Sequence, residues 1–97
     1  MPQVIYTGNA INDLDRLREF LISKNPIAAE RAAQAIREGI ATLGIQPQIG
    51  RPIEDMPVDF RDWPIDFGDN GYLARYYFNG GTVIILAIRH QKELDFG

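Results

Sequence analysis

The sequence predicts an α+β domain: an N-terminal strand, an αα-hairpin and then a three-stranded antiparallel meander, in the order β-α-α-β-β-β. Three observations predict it. Two stretches with apolar residues at helical spacing are separated by only Asn25-Pro26. Further on, apolar residues alternate with polar ones or run unbroken, as strands do. These later stretches are joined by Gly68-Asp69-Asn70-Gly71 and Asn79-Gly80-Gly81, residues that tolerate the positive φ angles of tight hairpin turns.

The first strand is the short β-prone run Val4-Ile5-Tyr6, which can pair with the later hairpin. Gly8-Asn9 ends it, with Asn9 as the expected cap of a helix from about Ala10 to Lys24 and Asp13 near the positive end of its dipole. Ile11, Leu14, Leu17 and Leu21 give that helix one apolar stripe. Pro26 disfavours helical geometry at Asn25 but suits the first position of a new helix, so Asn25 ends one helix and caps the next. Ala29, Ala33, Ile36, Ile40 and Leu43 mark the second stripe, and Gly44 with Pro47 marks its end.

Residues 45–62 hold Pro47, Pro52 and Pro57, the acids Glu54, Asp55 and Asp59, and no sustained period, so a functional or mobile loop is expected. Arg61, Trp63, Ile65 and Phe67 then alternate with other residues as one buried strand face, and Pro64, which cannot donate to a ladder, places that strand at an edge or starts it near that residue. The last strand, Val83 to Ile88, is apolar on both faces and is expected at the sheet centre, covered on both sides. It ends abruptly in Arg89-His90. Strict alternation puts Arg89 with Val83, Ile85 and Ala87, and His90 with Ile84, Leu86 and Ile88, on opposite faces. The whole is expected as one domain over 1–97, with the helices across an all-antiparallel sheet whose uncovered flank awaits another polypeptide.

Composition excludes several classes. The net charge is −3, which argues against direct nucleic-acid binding by bulk electrostatics. With no cysteine and one histidine, neither a disulfide framework nor a transition-metal ligand set is expected, and no metal or cofactor is assigned. The acids Glu54, Asp55 and Asp59 read as a solvated loop face. The N-terminus lacks a signal-peptide pattern and the longest apolar run is too short for a bilayer, so a soluble cytoplasmic protein with no membrane contact is expected.

Several local motifs then coincide: Asp13-Leu14, Asn25-Pro26 before an Ala-rich helix, Pro47-Gln48-Ile49-Gly50-Arg51-Pro52, Arg61, and Ala87-Ile88-Arg89-His90-Gln91-Lys92-Glu93. In this order the chain resembles the RelE/ParE superfamily of toxins from bacterial type II toxin–antitoxin modules, most closely the ParE branch. The resemblance implies a toxin neutralised by a cognate antitoxin. That partner is expected to be ParD-like, with a ribbon-helix-helix DNA-binding half and a flexible C-terminal arm, in a hetero-oligomer with the toxin. ParE-like members poison DNA gyrase by binding, whereas RelE-like members cut messenger RNA in the ribosome.

Metal-free RNA cleavage needs a base, a cation facing the phosphorane and an acid. Arg61, Arg75, Arg89 and His90 are the catalytic candidates for that reading, His90 because imidazole titrates near neutrality. The acidic loop and only two lysines favour the gyrase reading, in which no catalytic residue is expected. Arg51, Arg75, Arg89 and His90 are then the candidate target contacts. The bland alternative for Arg75 is stacking on Tyr77 or pairing with a carboxylate such as Asp66. Leu14, Leu17, Leu21, Ile36, Ile40 and Leu43 exceed what a helical hairpin buries alone; with Trp63 they are the candidate antitoxin contacts, although most must face the sheet. A degenerate, non-toxic binding domain is the third reading.

Overall fold

The structure is a computed structural model and describes residues 2–92. Strand β1 (Gln3–Tyr6) leads into helices α1 (Gly8–Ile22) and α2 (Pro26–Leu43), followed by β2 (Arg51–Pro52), β3 (Phe60–Phe67), β4 (Asn70–Asn79) and β5 (Thr82–His90). The five strands form one sheet in the order β1-β5-β4-β3-β2. The meander β3-β4-β5 is antiparallel as expected, and the two-residue turn Gly80-Gly81 has both φ angles positive, at 69° and 89°. Among the described residues, no helix is long and apolar enough to cross a membrane.

The expectation of an all-antiparallel sheet is overturned: the sheet is mixed, because β1 pairs parallel to β5, with Val4 beside Val83 and Tyr6 beside Ile85. The whole helical hairpin and the meander intervene between these strands. That long crossover returns β5 in the same direction as β1, which a tight turn cannot do.

Local chemistry sets the helix ends. Thr7, not Asn9, caps α1, because the chain stays extended through Thr7 (φ −71°, ψ 161°). The Thr7 hydroxyl accepts from the Ala10 N–H at 3.1 Å and donates to the Ile85 carbonyl at 2.8 Å. Asn9 instead donates to the Leu86 carbonyl at 2.9 Å. Asn25 caps α2 by accepting from Ile27 and Ala28 N–H groups, with Pro26 behind it.

Both helices pack on one face of the sheet. Leu17, Ile36, Ile40 and Leu43 meet Ile65, Tyr72, Ala74, Tyr76, Val83, Ile85 and Ile88 in one buried cluster. At Gly39 the helix–sheet approach is close: a β-carbon there would stand 2.7 Å from the Ile65 side chain, and Trp63 donates from Nε1 to the Gly39 carbonyl at 2.9 Å. Among the described residues the other sheet face carries no helix. Strand β5 lies inside the sheet between β1 and β4, next to the central β4, and among the described residues a helical layer covers one side of it only; Ile84 on its far face is half-buried between Ile5 of β1 and Tyr77 of β4.

The parity along β5 also changes. Tyr76 pairs with Ile85 while Arg75 pairs with Ala87, so Leu86 is an extra, bulged residue. Val83, Ile85, Ile88 and His90 therefore share the helix-covered face, and Ile84, Ala87 and Arg89 the open one. Arg89 and His90 still lie on opposite sides, but Arg89 leaves the company of Val83 and Ile85.

Candidate functional site

The free edge of β5 beyond β1 is closed by side chains of α1. Asp13 recurs with Ala10 and Leu17 on the stripe that faces the sheet, and all three are buried. Its carboxylate accepts from the Ile88 N–H at 2.9 Å and from the Arg89 guanidinium at 2.6 Å. Asp13 thus replaces a neighbouring strand at this position and binds Arg89 to the first helix, in place of the dipole role expected for it.

Two other arginines are also engaged within the chain. Arg75 grips Asp62 with two bonds, Nε to one carboxylate oxygen at 2.9 Å and a terminal nitrogen to the other at 3.1 Å. Asp62, its cross-strand partner, is the carboxylate, and Asp66 is not. Arg61 donates to the loop carbonyls of Gln48 and Gly50, at 3.2 and 2.8 Å.

The loop expected to be mobile or functional is fastened from below. Tyr76, fully buried, accepts from the Gly50 N–H at 2.9 Å and donates to the Pro47 carbonyl at 2.8 Å. A β-carbon at position 50 would sit 2.5 Å from that hydroxyl, so only glycine lets the loop lie against it. Burial pushes the Tyr76 hydroxyl above its ordinary pKa, with the Gly50 bond and the Arg61 charge acting in the opposite direction. The motif then forms β2, pairing Arg51 with Asp62 and Pro52 with Arg61.

These contacts decide how the four candidate catalytic residues are arranged. His90 lies on the helix-covered face, edge-on to Tyr72 with ring centroids 5.4 Å apart, and its Nδ1 accepts from the Lys92 N–H at 3.1 Å. It borders a pocket of about 530 Å³ with Arg16, Phe20, Leu21 and Phe67. Arg75 lies on the other face, Arg89 reaches back to α1, and Arg61 holds the loop. The four side chains do not converge. Glu93, the last residue of the C-terminal motif, lies outside the described residues.

The expected antitoxin stripe divides. Leu17, Ile36, Ile40 and Leu43 are packed in the core and offer almost no surface. Trp63 is half-buried beside the same core and is held by its bond to α2. Leu14 and Leu21 remain partly open in an apolar groove of about 440 Å³ along the helical hairpin. Tyr6, Ile11, Ala29 and Ala33 extend that groove, with Arg18 and Arg37 at its border. Burial also raises the Tyr6 hydroxyl above its ordinary pKa, partly offset by the Arg37 charge. Sequence reasoning missed Asp13, Asp62 and Tyr76. Only Asp13 left a signal, an acid spaced three and four residues from Ala10 and Leu17 on an apolar stripe.

Comparison with known proteins fits this arrangement. The family model described as the ParE toxin of the type II toxin–antitoxin system parDE matches residues 4–95. The chain belongs to the ParE toxin family. Within the wider RelE/ParE superfamily it is similar to Toxin RelE2 of Caulobacter vibrioides, at 31% identity over 97% of this chain and all of that one. Toxin RelE3 of the same organism is 32% identical over 96% of this chain and 98% of its own. Among solved structures, the chromosomal ParDE toxin–antitoxin system from P. aeruginosa matches in fold with a TM-score of 0.76. Identity there is 23%, covering 93% of this chain and 96% of that one. The ParE family fold is thus built here around an Asp13–Arg89 edge clamp and a tyrosine-fastened loop.

Proposed function

We propose that this ParE-family toxin acts by binding, with DNA gyrase as its target and a cognate antitoxin as its inhibitor. The observation that carries this reading is the separation of the catalytic candidates. A base and a phosphate-binding cation must meet one phosphodiester, and His90 and Arg75 occupy opposite faces of the sheet. Arg61, Arg75 and Arg89 each neutralise or hold an internal acceptor, as expected of structural cations. The net charge of −3 further disfavours a site built for ribosomal RNA.

The antitoxin part of the proposal rests on the groove along the helical hairpin. Leu14, Leu21, Ile11, Ala29 and Ala33 suit the apolar face of an amphipathic segment, and Arg18 and Arg37 suit acids at its margin. A ParD-like antitoxin with a ribbon-helix-helix half is the partner proposed, in a hetero-oligomer in the cytoplasm.

The competing reading, ribosome-dependent cleavage of messenger RNA, is favoured by the names of the two Caulobacter relatives. A supercoiling assay separates the two. Purified toxin at micromolar concentration is expected to inhibit gyrase or trap its cleaved-DNA complex, and added antitoxin to reverse this. Undisturbed supercoiling, with ribosome-bound transcripts cut by the same preparation, would replace gyrase with the ribosome.

A further inference from the structure

The loop motif 47–52 is anchored far more heavily than its exposure warrants. Gln48, Ile49, Arg51 and Pro52 are all exposed, yet a fully buried tyrosine and an arginine from the two central antiparallel strands are committed to the backbone between them. Core packing does not require this, since the loop contributes no residue to the buried cluster. What the anchoring fixes is the display of Arg51.

Register puts Arg51 on the open face, in a row with Asp62 and Arg75 across three strands. Both Asp62 oxygens accept from Arg75, and Asp62 forms no ion pair with Arg51. Arg89, the other cation at an open-face position, is held by Asp13. Among the described residues Arg51 makes no ion pair, and its guanidinium projects from a backbone clamped at Pro47, Gln48 and Gly50. An arginine beside an exposed isoleucine on a pre-ordered loop loses little freedom when it meets a partner, which is the composition and rigidity of an energetic contact in protein interfaces.

We propose that Arg51 is the principal target-contacting cation of this toxin, pairing with a carboxylate on the target protein, and that Tyr76 positions it through the loop. The inference rests on the binding reading above and narrows it to one side chain. A protein carboxylate fits better than nucleic-acid phosphate. The exposed acids Glu54 and Asp55 follow three and four residues later in the same loop, and would repel a polyphosphate backbone while tolerating a single acid.

The test compares wild type, Arg51→Ala, Arg51→Lys and Tyr76→Phe in three assays: growth arrest on induction, inhibition of purified gyrase, and mobility shift of a linear DNA duplex. Thermal melting and antitoxin affinity report on fold. Arg51→Ala is expected to weaken growth arrest and gyrase inhibition about tenfold with melting and antitoxin binding unchanged, and Arg51→Lys to restore part of both. Tyr76→Phe is expected to weaken them about threefold while the antitoxin affinity holds. Full toxicity in Arg51→Ala overturns the proposal. So does a DNA affinity that Arg51→Ala abolishes while gyrase binding persists, because phosphate would then be the ligand. If wild type leaves gyrase untouched, the gyrase reading fails alone, and growth arrest still decides on Arg51.

Discussion

The two faces of the sheet use the same three long strands in opposite ways. Toward the helices, Tyr72, Ala74 and Tyr76 of β4 and Val83, Ile85 and Ile88 of β5 are all essentially inaccessible to solvent. Toward the open side, the intervening Leu73, Arg75, Tyr77 and Ile84 are half-buried, and an ion pair takes the place of a packed aliphatic cluster. The covered face carries stability. On the open face Arg75 and Arg89 are balanced within the chain by Asp62 and Asp13, while among the described residues Arg51 and the exposed Asp66 make no ion pair. The lesson is that cations at strand ends do not mark a catalytic centre until their internal partners are known.

Substitutions on the two faces should differ in size in that order. Leu43→Ala, at the centre of the covered face, is expected to cost about 3–5 kcal/mol and lower Tm by more than about 10 °C, as calorimetry would show. An unchanged melting curve would mean the hairpin is not the anchor of the core. Asp13→Ala comes next, at about 2–3 kcal/mol by denaturant unfolding. It leaves the Ile88 N–H unpaired and releases Arg89, although Arg89 can regain some water. Asp13→Asn, which keeps an acceptor for Ile88, should lose roughly half as much.

Tyr76→Phe reaches from the covered face to the loop and is expected to cost about 1–2 kcal/mol at neutral pH. It also carries a pH signature. Burial raises the Tyr76 pKa in the folded state, so its stabilising effect is fully present below the unfolded value of 10.0 and is lost as pH rises through the raised folded value. Wild type should therefore lose stability more steeply than Tyr76→Phe in alkaline unfolding titrations. The smallest effect belongs to the open face. A double-mutant cycle on Arg75 and Asp62, whose side chains keep 23% and 16% of their exposure, should give a coupling of about 1 kcal/mol or less. A coupling as large as that of the Asp13 contact would erase the contrast between the faces.

Much of the fold was legible because it rests on local chemistry. Asn25-Pro26 dictates where one helix stops and the next begins, and Gly80-Gly81 dictates a hairpin whatever lies around it. The direction of β1 was not legible, since nothing in Val4-Ile5-Tyr6 records which way a strand some eighty residues later will run beside it. The Leu86 bulge was hidden for a related reason: an unbroken apolar run has no alternation to show where parity slips. At the candidate site, residue types were readable but commitments were not. A carboxylate partner was foreseen for Arg75 alone, and only the folded arrangement reveals that Asp62 from the neighbouring strand holds it, Asp13 from the first helix holds Arg89, and loop carbonyls hold Arg61.

Whether this toxin works without a catalytic histidine is answered most directly by inducing His90→Gln beside the wild type and following culture growth and ribosome-bound transcripts, with antitoxin binding as the measure of an intact fold. Binding as the mode of action predicts arrest with ribosome-bound transcripts intact, whether or not His90 also touches the target. Transcript cleavage by the wild type that His90→Gln abolishes, in a variant that still folds and still binds antitoxin, would contradict it.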